Sequence, residues 1–449
     1  MGDWRLVRFG EVASIKHGWP FKSKLCSLEQ TGRPIVVNTG NYRYDGGFRF
    51  DETVTREYIG EFPSEYITEP GDILLIMTCQ TPGGEILGVP GRIPNDGRIY
   101  LHNQRLGKVV IKSKKELDSG YIYWVCFFSK TEFIYYVFNQ HLVATATGTK
   151  ILHTAPSRIE GFRFWLPSFF EQRAIAQLLN ALQGKIELNR QTNETLEALA
   201  RAIFKDWFVD FGPTRAKVEG QESYLATELW ELFPDALDDE DKPVGWEISE
   251  IGKEVKALGG GTPSTKQPTF WDAGEHNWAT PKDLSKLSSP VLLRTDRQIS
   301  DAGIENISSG LLPVGTVLLS SRAPIGYLAI AEAPTAVNQG FIAMVCDKRL
   351  TNLFVFFWCE QHLDYIKGIA GGTTFAEISK KVFRPIPVVV PSSKSIQAFD
   401  EIVRPLYNKI VSNTKENEML AQTRDLLLPK LMSGEIRLKD VEHIVGEVV

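Results

Sequence analysis

Cysteine is scarce and unpaired in this sequence. Five cysteines (Cys26, Cys79, Cys126, Cys346, Cys359) stand far apart, with no C-x-x-C pair among them. That argues against a disulfide framework or a zinc knuckle and for a reducing, cytoplasmic setting. The seven histidines take no H-x-x-x-H spacing, so the signature of a metal hydrolase is missing. Walker A, G-x-S-x-G and the Asn/Asp-Pro-Pro-aromatic motif of enzymes that methylate a flipped adenine are missing too. No stretch approaches the roughly 18 consecutive apolar residues of a membrane span. No apolar run follows Asp3, Trp4 and Arg5, as a secretory signal would require. These absences point to a non-catalytic chain with no metal, cofactor or membrane contact of its own.

An excess of one charge is missing as well. The formal net charge is −5, and residues 228–241 alone hold seven acids and no base. The remainder is therefore slightly positive, which permits a basic face without demonstrating one. We expect 228–241 to be a solvated linker, with a protein dock or a DNA-mimicking brake as lesser readings.

What the chain does contain is part of itself, twice. Residues 148–196 align without a gap on 372–420: Gly148 falls on Gly372, Pro167 on Pro391, Lys185 on Lys409, Asn189 on Asn413, Asn193 on Asn417 and Leu196 on Leu420. Trp4 and Gly10 likewise match Trp246 and Gly252 at a slightly different offset. Two copies are too few for a solenoid, and two like halves suit two like ligands or one with two-fold symmetry.

Each copy reads as a mixed α and β body followed by a helical tail. Short apolar runs bounded by Gly or Pro (72–77, 108–111, 316–319, 341–345) suit strands, and 120–128 and 353–359 suit helices. Ser168 with Glu171 forms a capping box directly after Pro167. From there Ile175, Leu179, Leu182, Ile186, Asn189, Asn193, Leu196, Ala200 and Ile203 keep heptad spacing. The second tail repeats it through Phe399, Val403, Leu406, Ile410, Asn413, Asn417, Leu420, Arg424 and Leu427. Matched Asn layers favour mutual pairing of the two helices over a face turned to other proteins. A like helix returning after a whole intervening domain closes most simply as an antiparallel pair. Pro405 should kink or interrupt the second helix, and Gly184 weaken the first more mildly.

This layout resembles the specificity (S) subunits of Type I restriction-modification systems, over nearly the whole chain. In the second copy the resemblance rests on Trp246, Gly259–Ser264, Trp278–Asp283, Gly315–Gly326, Asn338–Gly340, Gly372–Thr373 and the Pro391 helix entry. The first copy carries Gly18–Ser23, Gly71–Leu75, Asn103–Gln104 and Gly148–Lys150, then Leu166–Gln172 leading to Phe204–Phe208. The second tail entry departs by lacking a Glu-Gln pair. The resemblance implies an α+β chain of two α/β target recognition domains joined by two long antiparallel coiled-coil helices, an internal pseudo-two-fold repeat. The corresponding segments are a first recognition domain at 1–166, a spacer helix at 167–215 and an acidic linker at 216–244. A second recognition domain at 245–391, a spacer helix at 392–435 and a tail at 436–449 complete them. Implied partners are double-stranded DNA, two methylase subunits and, through them, restriction subunits. S-adenosylmethionine, ATP and Mg²⁺ would belong to those partners.

Base reading needs paired donors and acceptors on loops. Within or beside the matching loops those residues are Lys22, Gln80, Thr81, Gln104, Arg105 and Lys150 in the first copy. In the second they are Thr262, Lys282, Ser321, Arg322, Gln339 and Thr373. The bland reading of each is a polar residue on a solvated turn, and most real contacts would go to phosphate. Asn38–Tyr44 reads better as an inward-packed turn than as a DNA contact. Gly259–Gly261 lacks the Lys-Ser/Thr of a nucleotide cradle and reads as a flexible loop near DNA. Two other classes stay open: a coiled-coil protein-binding adaptor without DNA contact, and a self-sufficient enzyme with an unrecognised site.

Overall fold

The computed structural model of the chain describes residues 4–43, 47–51, 53–79, 83–127, 137–148, 151–322, 324–371 and 376–436. Gln80, Thr81, Lys150 and Thr373 lie outside them. The chain forms two compact units, one of Met1–Lys185 with Met419–Val449, the other Ile186–Glu418. Two long helices, Phe169–Phe208 and Ser393–Ser433, each run from one unit into the other. At 1.5 Å per residue each is about 60 Å long. No helix among the described residues is long and apolar enough to cross a membrane.

The two units share a four-strand core order, to which the second adds Val291–Leu292 as a parallel fifth strand. In the first, Ala13–His17, Leu106–Ile111, Ile73–Ile76 and Pro90–Arg92 pair in that order as an antiparallel sheet. In the second, Lys256–Leu258, Phe341–Val345, Val317–Ser320 and Leu328–Ala331 do the same. A smaller sheet accompanies each. Ile35–Val37 runs parallel to Tyr100–His102 in one, and His276–Ala279 parallel to Thr335–Val337 in the other. A short ribbon closes each body onto its helix: Arg5–Arg8 on Arg163–Leu166, and Glu247–Glu250 on Pro387–Val390. The apolar runs picked from sequence are the central strands of these sheets, covered on both faces except where Val110 reaches solvent.

Burial explains how each body sits on the helices. In the first unit Ile175 and Leu179 share a core with Tyr121, Trp124, Leu427, Leu428 and Leu431. There is no room for a larger residue at Gly120, whose missing Cβ would stand 2.8 Å from that of Ala176. Gln172 fastens the junction, accepting from the Asp118 backbone at 2.9 Å and donating to the Glu116 carbonyl at 3.0 Å. In the second unit Phe204, Phe208, Phe354 and Phe399 stack edge to face beside Val403 and Ile410.

The helices run antiparallel within each unit. In the second, Asn189 Nδ2 donates to Asn417 Oδ1 at 3.0 Å, and Asn413 Nδ2 to Asn193 Oδ1 at 2.9 Å. As residue numbers rise on one helix they fall on the other. In the first unit Arg424, itself buried, donates to Gln183 Oε1 at 2.5 Å and lies over the Phe127 ring. Apolar seam positions on either side are buried or half-buried: Leu179, Leu182, Ile186 and Leu196, then Val403, Leu406, Ile410 and Leu420.

Two expectations need correcting. Pro405 neither ends nor interrupts the second helix, which is continuous from Ser393 to Ser433. It sits on an exposed face, where water can satisfy the carbonyl it leaves unpaired. The missing Glu-Gln pair at that helix's entry is replaced by Ser392, whose Oγ accepts from the Ser395 backbone at 3.1 Å. The acidic segment is no free linker either. It carries a helical turn, Thr227–Trp230, and buries Phe233 edge-on against Trp207 at 5.0 Å. Its carboxylates point outward, and Lys217 and Lys242 hold Asp235, Asp238 and Glu240.

Asn413→Ala should lower the unfolding free energy by about 1–3 kcal/mol, because it strands the buried Asn193 amide. Replacing Asn193 and Asn413 together by Leu should be close to neutral. Urea denaturation followed by circular dichroism distinguishes the two outcomes.

Candidate nucleic-acid interface

The same loops meet at the edge of each unit, and glycine makes the meeting possible. In the first unit Trp19 N donates to the His102 carbonyl at 2.9 Å and Gln104 N to the Trp19 carbonyl at 3.0 Å. A Cβ on Gly18 would stand 2.1 Å from the Asn103 carbonyl oxygen, so no side chain fits. Trp19, Phe21 and Tyr58 pack edge to face at 4.9–6.4 Å, which fixes the loop and leaves Lys22 exposed. Arg105 is exposed beyond a turn closed by Asn103 Oδ1. Its carbonyl accepts from Met77 N, and the Met77 carbonyl from Thr154 N. Lys22, Gln104 and Arg105 thus share one rim.

The second unit repeats the arrangement. Gly261 N donates to the Val337 carbonyl at 3.0 Å, and a Cβ on Gly260 would stand 1.7 Å from that oxygen. Thr262 Oγ1 donates to Gln339 Oε1 at 2.6 Å. Asn338 N donates to the Ala279 carbonyl, Ser321 N to that of Gly340, and Ile378 N to that of Ser321. Lys282 stands exposed on a helical turn capped by Thr280 and Asp283. Five second-copy candidates therefore gather on one rim, but not as equals. Ser321 is buried, 3% exposed, and serves to tie three loops together. Arg322 Nε is engaged by Glu377 at 3.1 Å. Thr262, Lys282 and Gln339 are exposed.

Asn38–Tyr44, read from sequence as an inward turn, is placed as far as residue 43. Tyr42 is buried and its hydroxyl donates to the Leu74 carbonyl at 2.9 Å.

Among the described residues the rims carry unneutralised positive charge. Lys22, Arg105 and Lys282 form no ion pair with any described carboxylate, and neither does Lys380, which reaches over Gly259. Sequence reading missed Lys380, since nothing in its own stretch marks it. It also missed Arg297, stacked 3.8 Å from the Trp271 ring centroid. Below the first rim, burial holds the His102 pKa down to about 4. The ring is neutral near pH 7, with Nε2–H donating to the Leu106 carbonyl at 2.8 Å. Burial also pushes the Cys346 thiol up to about 12 and raises those of Cys126 and Cys359, so these are packing residues.

Duplicated bodies with duplicated polar rims agree with what the chain is similar to. The family model described as the Type I restriction modification DNA specificity domain matches it twice, over 1–198 and 243–422. The chain belongs to that family. It is 27% identical over 316 residues to the HindI specificity subunit of Haemophilus influenzae, spanning 60% of this chain and 68% of that one. With the MjaIX specificity subunit of Methanocaldococcus jannaschii it shares 33% over 180 residues, 40% of this chain and 41% of the other. The solved S subunit from M. genitalium superposes with a TM-score of 0.55 over 96% of both chains at 17% identity, a likeness of fold. As a Type I specificity chain it serves DNA-sequence specificity, and catalysis is not its part.

Two outcomes test the rims. Gly18→Ala and Gly260→Ala should each destabilise the protein by more than about 1 kcal/mol, the centre of the usual range. Gly368→Ala, where a Cβ meets nothing within 4 Å, should leave the melting temperature in place. His102 should make the first unit acid-sensitive. Its folded pKa lies below the ordinary 6.5, so the unfolded chain binds more protons between them and stability falls as pH drops from about 6.5 toward 4. The loss is at most about 3 kcal/mol. Stability-versus-pH curves of wild type and His102→Gln should diverge in that window.

Proposed function

We propose that this specificity chain reads a split, asymmetric DNA target, one half-site by each unit, and docks two methylase subunits along its paired helices. Restriction subunits join through the methylases. The observation that carries this reading is one strand order built twice with different side chains on its rims. Lys22 and Arg105 stand beside Gln104 on one rim, while Thr262 and Lys282 stand beside its counterpart Gln339 on the other. Like scaffolds suit the like geometry of two half-sites, and unlike side chains suit different bases. The free cations on both rims supply the phosphate contacts that set position without reading sequence. Half-sites on one face of B-DNA repeat about every 34 Å, a length that helices of about 60 Å can govern. The spacer would then follow from helix length. S-adenosylmethionine belongs to the methylases and ATP with Mg²⁺ to the restriction subunits.

Base-resolution methylation mapping in cells co-expressing this chain with its neighbouring methylase tests the reading. A split motif with N6-methyladenine in both halves, lost when this chain is omitted, is the expected outcome. Removing one heptad from each helix should shorten the unread spacer and leave both half-sites as they were. An altered half-site would sink the ruler.

A further inference from the structure

Arginines on the two units differ in whether their guanidinium forks are already taken. Arg98 lies over Phe50 and Tyr100, but Asp96 holds it with bonds of 2.7 and 2.9 Å. Arg349 is held by Glu254 and Glu247, and Arg322 by Glu377. Arg297 is exposed and forms no ion pair with any described carboxylate. Its neighbour Asp296 is engaged by Lys286 instead. Yet Arg297 is not loose. Its guanidinium lies 3.8 Å from the Trp271 centroid and 5.6 Å from that of Trp278, and the two indoles pack edge to face at 4.9 Å.

Every part of that platform is tied down. Trp278 is 4% exposed and its Nε1 donates to the Gly261 carbonyl at 3.1 Å. The Trp271 Nε1 donates to the Ser264 carbonyl at 3.1 Å. The Arg297 carbonyl accepts from Trp278 N at 3.2 Å and from Thr295 Oγ1 at 2.6 Å. Gly261 immediately precedes Thr262, which bonds Gln339. One bridged indole therefore links Arg297 to the rim already described.

We propose that Arg297 is a specificity-determining residue of the second unit, reading a guanine through its stacked, unpaired guanidinium fork. The proposal rests on the DNA-reading function above and goes beyond it in naming the residue and the base. Guanine offers O6 and N7 side by side in the major groove, the acceptor pair that a planar fork matches. Stacking on Trp271 fixes the plane of the fork before binding, so less freedom is lost on contact. A phosphate contact depends mainly on charge, which lysine keeps as a point charge, whereas the paired acceptors of guanine match the planar fork. That difference makes the two roles separable.

The test is methylation mapping of Arg297→Lys and Arg297→Gln beside the wild type, each co-expressed with the methylase. Both variants should make one guanine position of a single half-site degenerate, discrimination there falling about 5- to 100-fold, with the other half-site unchanged. A motif left intact by both substitutions overturns the assignment. So does a uniform loss of methylation that Arg297→Lys restores, because that marks a phosphate contact. Absence of any split motif with the wild-type chain would instead remove the proposed function, and this inference with it. Melting curves of the purified methylase complexes show whether each variant is folded.

Discussion

Two amide pairs, one fully buried and one half-buried, hold the register on which the second unit's half of the helix pair depends. Asn189 with Asn417 and Asn193 with Asn413 bond side chain to side chain inside an otherwise apolar seam. Shifting one helix against the other would leave each amide facing a hydrocarbon, at the cost of an unsatisfied buried polar group. An all-leucine seam would bind more tightly and choose less. The duplication makes these pairs self-complementary: the residue that is Asn189 in one repeat is Asn413 in the other, and Asn193 is Asn417. Pairing each with its opposite member is the geometry of a two-fold axis written into one chain.

Around the paired helices the rest of each unit follows by packing. Gly120 accepts the approach of Ala176 in the first unit, and a stack of phenylalanines seats the body on the helices in the second. The inward faces of the helices are spent on these contacts, while outer positions such as Leu188, Leu199 and Met419 stay exposed. What each body has left to present is its loop rim. Glycines without room for a Cβ press those loops together, while the polar residues beside them remain in solvent. The division suits a chain that recognises without reacting: rigid apolar contacts position, and exposed amides and cations read.

Much of this was legible in the sequence, because periodicity and duplication are local signals. Heptads placed the long helices and the Ser168 capping box marked where the first begins. Matching motifs marked the loops that converge on the rims. Where reading went wrong, a local rule was overruled by surroundings. Pro405 is tolerated because the carbonyl it orphans faces solvent. Residues 228–241 looked like a solvated linker because their charges outnumber their apolar residues, yet Phe233 finds a site between Trp207 and Trp246, with Leu229 and Leu232 packed beside it. Apolar residues in the right place outweigh a run of carboxylates that can all turn outward.

The sequence by itself determined the class of fold, the repeat, the antiparallel logic of the helices and the family. Each is carried by spacing along the chain, and spacing survives without coordinates. Which rim residues are free to act was decided by tertiary structure alone. Arg322 and Arg297 are alike as letters. Only folding puts Glu377 against one and the bare face of Trp271 against the other, since a partner distant in sequence decides whether a charge is spent or available.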